Sequence, residues 1–173
     1  THGHGTFCAG IIGANADNAL GIAGINQRSS LMALRILSPD QDAELAYSLA
    51  MTRYIADAIV YAVDHGANVV NNSWGLPFPS KLVTDAIDYA HSQNTVMVFA
   101  SGNSAADSHF SYPQSHWSAI TVNASTQADE PTSFSNFGVA SDVIAPGGGQ
   151  AGDTDAENPN DGVRNVVGTL AHD

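Results

Sequence analysis

A chain of 173 residues, 43% hydrophobic with 16 glycines and 7 prolines, is long enough for a one-domain core and too apolar for disorder. Its formal net charge of −12 repels phosphate backbones, which argues against nucleic acid as a partner and leaves bound cations admissible. No run approaches the roughly 20 apolar residues that span a bilayer, so no membrane partner is expected.

The chain opens inside a motif, at Thr1-His2-Gly3-His4, so the lack of a signal peptide in it says little. Gly3 through Gly10 reads as a glycine-flanked histidine followed by small residues that open a helix. Within it Cys8 is the only cysteine, which rules out an internal disulfide; it reads as a small buried hydrophobe or as a reactive thiol. Leu31 to Leu37 reads as a buried strand. From about Asp42 to His65 apolar residues (Leu45, Leu49, Ile55, Ile59, Val63) recur at helical spacing, with Gly66 as the stop. Asn68 to Trp74 reads as the next strand, and Ser80 to Gln93 as a helix with Ser80 as its N-cap. Thr95 to Ala100 and Ala119 to Ala124 are strand-like. Strands alternating with helices imply an α/β fold with a parallel sheet covered on both faces. Function in such sheets gathers where strand carboxyl ends meet loops, which singles out Ser73-Trp74-Gly75 and Ser101-Gly102-Asn103. Beyond Pro146 the chain turns glycine-rich and acidic, a loop rather than an element.

Three clusters carry chemical possibilities. A histidine at a helix start, its ring open to a cleft, has the access a general base needs, although a surface turn has the same look. Gly3, Gly5 and Gly10 do not make a dinucleotide-binding spacing, and the cluster follows no strand. His2 and His4 as zinc ligands lack a further placed donor. Asn103, just past a strand and preceded by Gly102, could aim its amide at a developing oxyanion, or simply serve a turn. Asn72 to Leu76 offers strand-end backbone to which an extended peptide could pair.

Together and in order, these clusters resemble the subtilases, the subtilisin-like serine endopeptidases of peptidase family S8. His4-Gly5-Thr6-Phe7-Cys8-Ala9-Gly10 matches the family's H-G-T-x-x-A-G. Asn71-Asn72-Ser73-Trp74-Gly75 resembles its S-x-G strand end, and Ala100-Ser101-Gly102-Asn103 its A-x-G-N segment. Asn18 to Gly24, Tyr112-Pro113, Ala119 to Ala124, Ser133 to Gly138 and Asp142 to Gly147 are similar to further family markers. The likeness covers about residues 2 to 147. It implies a three-layer fold with a mostly parallel sheet between helices, truncated at both ends. Residues 1–147 would be the core of a partial catalytic domain, and 148–173 an acidic, glycine-rich insertion with the segment after it. The resemblance makes His4 the general base and Asn103 the oxyanion donor. Ser73, Trp74, Gly75, Ala100, Ser101 and Gly102 would line a cleft for a polypeptide substrate.

The family's aspartate, in D-[ST]-G, belongs upstream of the histidine, and its nucleophile in G-T-S-M-A belongs near the carboxyl end. Gly168-Thr169-Leu170-Ala171 invites alignment with the latter, putting Leu170 where the serine stands. The preferred alignment makes Gly152 to Val163 the insertion that some subtilases carry before the serine motif, so that the serine lies beyond this span. Under either alignment these residues alone are expected to be inactive. The alternative is a pseudoprotease that holds peptides without cutting them. No cofactor is required for catalysis. The acidic loop reads first as merely solvated, with structural Ca²⁺ as the alternative at Asp153 and Asp155, and at Asn18 by resemblance. The resemblance also implies secretion and a propeptide. Without its serine-bearing helix the piece is expected to expose apolar surface.

Overall fold

The computed structural model describes residues 3–36 and 49–148. Four strands, β1 (Val69–Asn72), β2 (Val96–Ala100), β3 (Ala119–Ser125) and β4 (Val143–Pro146), form one sheet in the order β1-β2-β3-β4. All three pairings are parallel; Asn72 lies beside Phe99, Ala100 beside Val122, and Ala124 beside Ala145. Every strand therefore delivers its carboxyl end to the same edge of the sheet.

Three helices, α1 (His4–Gly13), α2 (Leu49–Asp64) and α3 (Lys81–Ser92), accompany the sheet. On α2 the buried Met51, Ile55, Ile59 and Val63 recur at one-turn spacing; on α3 Val83, Ile87 and Ala90 do the same. These stripes meet each other and the β2 side chains Met97 and Phe99 in a single core cluster. A fully buried aliphatic of this size contributes roughly 1.5–3 kcal/mol, so this cluster is the main source of cohesion among the described residues. Across it the Tyr89 hydroxyl donates to Asp64 at 2.6 Å, and the carboxylate holds that phenolic proton above its usual range. Helix α2 stops at Gly66, whose φ of +82° lets Ala67 N–H return to the Ala62 carbonyl at 2.9 Å. Its expected start at Asp42, with Leu45, lies outside the described residues.

The helices and the strands β1, β2 and β3 expected from periodicity form close to where they were read. Ser80 occupies the N-cap position of α3, but its side chain makes no capping hydrogen bond. One expectation fails: residues 31–36 join no strand ladder, and Leu31, Met32 and Leu34 are exposed rather than buried. An apolar run becomes a strand only where it pairs with a neighbouring edge, and residues 31–36 pair with neither β1 nor β4, the outer strands of the described sheet. β4 went unforeseen because its four residues end in a proline and are too few for a periodicity. On the sheet face away from Met97 and Phe99, Val96, Ile120 and Val143 keep partly exposed side chains. Parallel sheets bury both faces, so these apolar residues suit a covering layer.

Candidate active site

Residue 3 takes a left-handed conformation, φ 64°, that glycine adopts without strain, and His4 follows as the first residue of α1. Its ring is exposed. The His4 Nε2 lies 3.0 Å from the Ser73 carbonyl, one residue past the end of β1. A carbonyl can only accept, so in this arrangement Nε2 carries the proton. Cys8, one helical turn on, is neither fully buried nor purely a packing residue: its Sγ sits 4.0 Å from His4 Nε2 and donates to Ser73 Oγ at 3.6 Å. Asn71 Nδ2 also donates to that hydroxyl, at 3.0 Å. The first histidine cluster and the β1 strand end thus meet directly.

One strand over, Ser101 N–H bonds to the Val122 carbonyl and its side chain is buried. Gly102 then turns the chain outward at φ +109°, and Asn103 emerges exposed, its side chain without a partner among the described residues. Because β1 and β2 are parallel neighbours, Asn103 and the Ser73 that holds His4 share one sheet edge. Trp74 packs edge-on against Phe99, rings 5.7 Å apart, which fixes the other segment of the cleft.

Two residues that sequence reasoning passed over hold these segments in place. Asn136 is 4% exposed. Its Nδ2 donates to the Ser101 carbonyl at 2.8 Å and to Ser111 Oγ at 3.3 Å, while its Oδ1 accepts from the N–H groups of Ser104 and Ala106. The Asn136 amide therefore clasps the loop carrying Asn103 on both sides. Gln114, also 4% exposed, joins the Trp74 and Ala100 carbonyls. The signal available for Asn136 was its place inside Ser133 to Gly138, a marker segment without an assigned role; Gln114 gave none.

Asn18 Oδ1 accepts from Leu20 N–H at 3.0 Å, a local turn, and no group of three His, Cys, Asp or Glu side chains gathers among the described residues. Asp153, Asp155 and the rest of 149–173, like His2, lie outside the described residues.

His116, beside Gln114's loop, has a displaced titration. Burial pushes it below its usual range; Asp88, at 3.5 Å, pulls it up and His91 pushes it down. Ser118 N–H donates to its Nδ1 at 3.3 Å, so that nitrogen is an acceptor in the fold. A second proton must displace that bond. The unfolded chain, with an ordinary value near 6.5, binds the proton more readily, so the neutral imidazole's contribution is complete above that pH and lost as pH falls below it. Denaturant midpoints measured from about pH 7.5 to about pH 5 should fall, and the fall should be shallower in His116→Gln; an unchanged pH slope would refute the assignment.

Comparison with known proteins decides the family. The model of the Subtilase family, peptidase S8, matches residues 1–169. The chain belongs to the subtilase family. It is 40% identical over 144 residues to the thermophilic serine proteinase of Bacillus sp. (strain AK1), covering 83% of this chain and 34% of that one. To thermitase of Thermoactinomyces vulgaris it is 37% identical over 146 residues, 84% of this chain and 50% of the relative. This subtilase chain thus spans about a third to a half of the length of these relatives. Among solved structures a protease of Pseudoalteromonas arctica superposes with a TM-score of 0.75 at 30% identity, covering 85% of this chain and 44% of that one. The epidermin leader peptide processing serine protease of Staphylococcus aureus shares the fold with a TM-score of 0.74 at 23% identity, over 92% of this chain and 44% of its own. The parallel sheet with its flanking helices is the three-layer subtilisin-like arrangement.

Proposed function

We propose that the protein containing this subtilase chain is a serine endopeptidase in which His4 is the general base and Asn103 the oxyanion donor. The observation that carries the reading is the meeting of His4 with Ser73 at the sheet edge where Asn103 also emerges. Residues 1–173 contain neither D-[ST]-G nor G-T-S-M-A, so the carboxylate and the nucleophilic serine come from outside this span. In the proposed cycle the serine hydroxyl attacks the scissile carbonyl carbon and its proton passes to the imidazole. The carbonyl oxygen, now negative, accepts a hydrogen bond from the Asn103 amide. Collapse of the tetrahedral intermediate breaks the C–N bond, and the imidazolium returns the proton to the departing amine. Water repeats the sequence on the acyl-enzyme.

The Nε2–H form seen against Ser73 is not the tautomer that accepts a proton at Nε2. A carboxylate on Nδ1 reverses it, which is the work expected of the missing aspartate. Residues 1–173 by themselves are therefore expected to be inactive. A polypeptide laid against 73–75 and 100–102 is the substrate; a propeptide and export belong to the same reading. One similar protein, from Bacillus subtilis, is named a minor extracellular protease, which supports export. No described helix is long and apolar enough to cross a membrane.

Hydrolysis of a chromogenic peptide by the full-length protein is the direct test. Asn103→Ala should lower kcat by about 10²–10³ with KM little altered, since the donor engages charge that exists only in the transition state. Peptide binding without cleavage by the full-length protein would identify a pseudoprotease and overturn the reading.

A further inference from the structure

The ladder between β1 and β2 ends at the pair Asn72 and Phe99. Beyond it the chains part to form the two segments of the cleft, which leaves the Trp74 and Ala100 carbonyls without strand partners. Gln114 supplies both. Its Nε2 donates to the Trp74 carbonyl at 3.0 Å and to the Ala100 carbonyl at 3.0 Å, using the two hydrogens an amide nitrogen has. The spacing of the segments beyond the ladder is thus fixed by one side chain.

That side chain is itself held from behind. Leu76 N–H bonds to the Tyr112 carbonyl at 2.8 Å, and a cis peptide joins Tyr112 to Pro113. The wholly buried Thr121 donates its hydroxyl to the Gln114 carbonyl at 2.7 Å. Position 75 is glycine where the amide passes closest: a Cβ there would stand 3.1 Å from Nε2. The amide, its backbone anchors and the gap at Gly75 form one fitted unit.

We propose that Gln114 is a positioning residue that sets the width of the peptide cleft, and with it the size of the substrate side chain held between 74–75 and 100–101. The inference rests on the endopeptidase reading above. Methionine at 114 matches the length of glutamine but donates nothing, so both carbonyls lose their tie and the segments can part. Glutamate would turn a carboxylate oxygen on two carbonyl oxygens and drive them apart further.

The test uses the full-length protein and paired peptides that differ only in the residue preceding the scissile bond, one aromatic and one small. Gln114→Met should shift the ratio of their kcat/KM values by at least about fivefold toward the aromatic peptide, with KM moving more than kcat. Gln114→Asn keeps an amide one methylene shorter, able to reach one carbonyl only. It should shift the ratio the same way by less, and it decides the matter if the methionine variant does not fold. A folded variant that loses kcat/KM equally for both peptides would leave Gln114 a merely structural residue and overturn the proposal alone. Failure of the unaltered protein to cleave either peptide would overturn the endopeptidase reading and this proposal together.

Discussion

His4→Ala in the full-length protein should lower kcat for peptide hydrolysis by about 10⁴–10⁶ while leaving KM within a few-fold; removing the histidine of subtilisin costs about 10⁶. The imidazole moves a proton in the chemical step and is not needed to hold the peptide, so the loss falls on kcat. Folding should hardly notice. His4 is exposed at the first position of α1, and its ring contacts are the Ser73 carbonyl at 3.0 Å and a long one to Cys8 Sγ at 4.0 Å. Surface changes of this kind cost within about 0.5 kcal/mol, so a circular-dichroism melt should overlay that of the unaltered protein. Retained hydrolysis in a folded His4→Ala protein would remove this residue from the mechanism. Residual activity is still expected, because the Asn103 amide and the cleft remain.

Much of the site was legible because its signals are local. A glycine before a histidine, and small residues after it, mark a helix start within eight positions; strand ends followed by Ser73-Trp74-Gly75 and Ser101-Gly102-Asn103 are equally short-range. What binds those pieces together is not local. Gln114 reaches a carbonyl 40 positions away, and Asn136 one 35 positions away. A glutamine or asparagine between turn residues reads as solvent-facing, and nothing in its neighbourhood discloses burial. The failure at 31–36 has the same root. Leu31-Met32-Ala33-Leu34 has the composition of an interior strand, but a ladder is a property of two segments, and composition describes one. The sheet was legible where helix and strand alternate at regular length, from α2 to β3.

Asn136→Ala should be the most damaging substitution for stability, at about 2–3 kcal/mol. Truncation strands the buried Ser101 carbonyl, which costs roughly 1–3 kcal/mol, whereas water can take over the N–H groups of the exposed Ser104 and Ala106. Urea denaturation should show a lower midpoint, and kcat should fall as well, because the loop that loses its clasp carries Asn103. Asn136→Asp separates the two halves of the clasp. Its carboxylate can still accept from Ser104 and Ala106, but the oxygen replacing Nδ2 faces the Ser101 carbonyl and cannot donate, so most of the loss should remain. Gly102 completes the unit. A Cβ there would lie 2.5 Å from Asn136 Nδ2 at a backbone φ of +109°, so Gly102→Ala combines strain with a collision. In Gly102→Ala/Asn136→Ala the collision disappears, and the double variant should be more stable than the sum of the single losses predicts. Strict additivity in that cycle would mean the two residues do not share a packing site, and the clasp would lose its claim to shape the loop that presents Asn103.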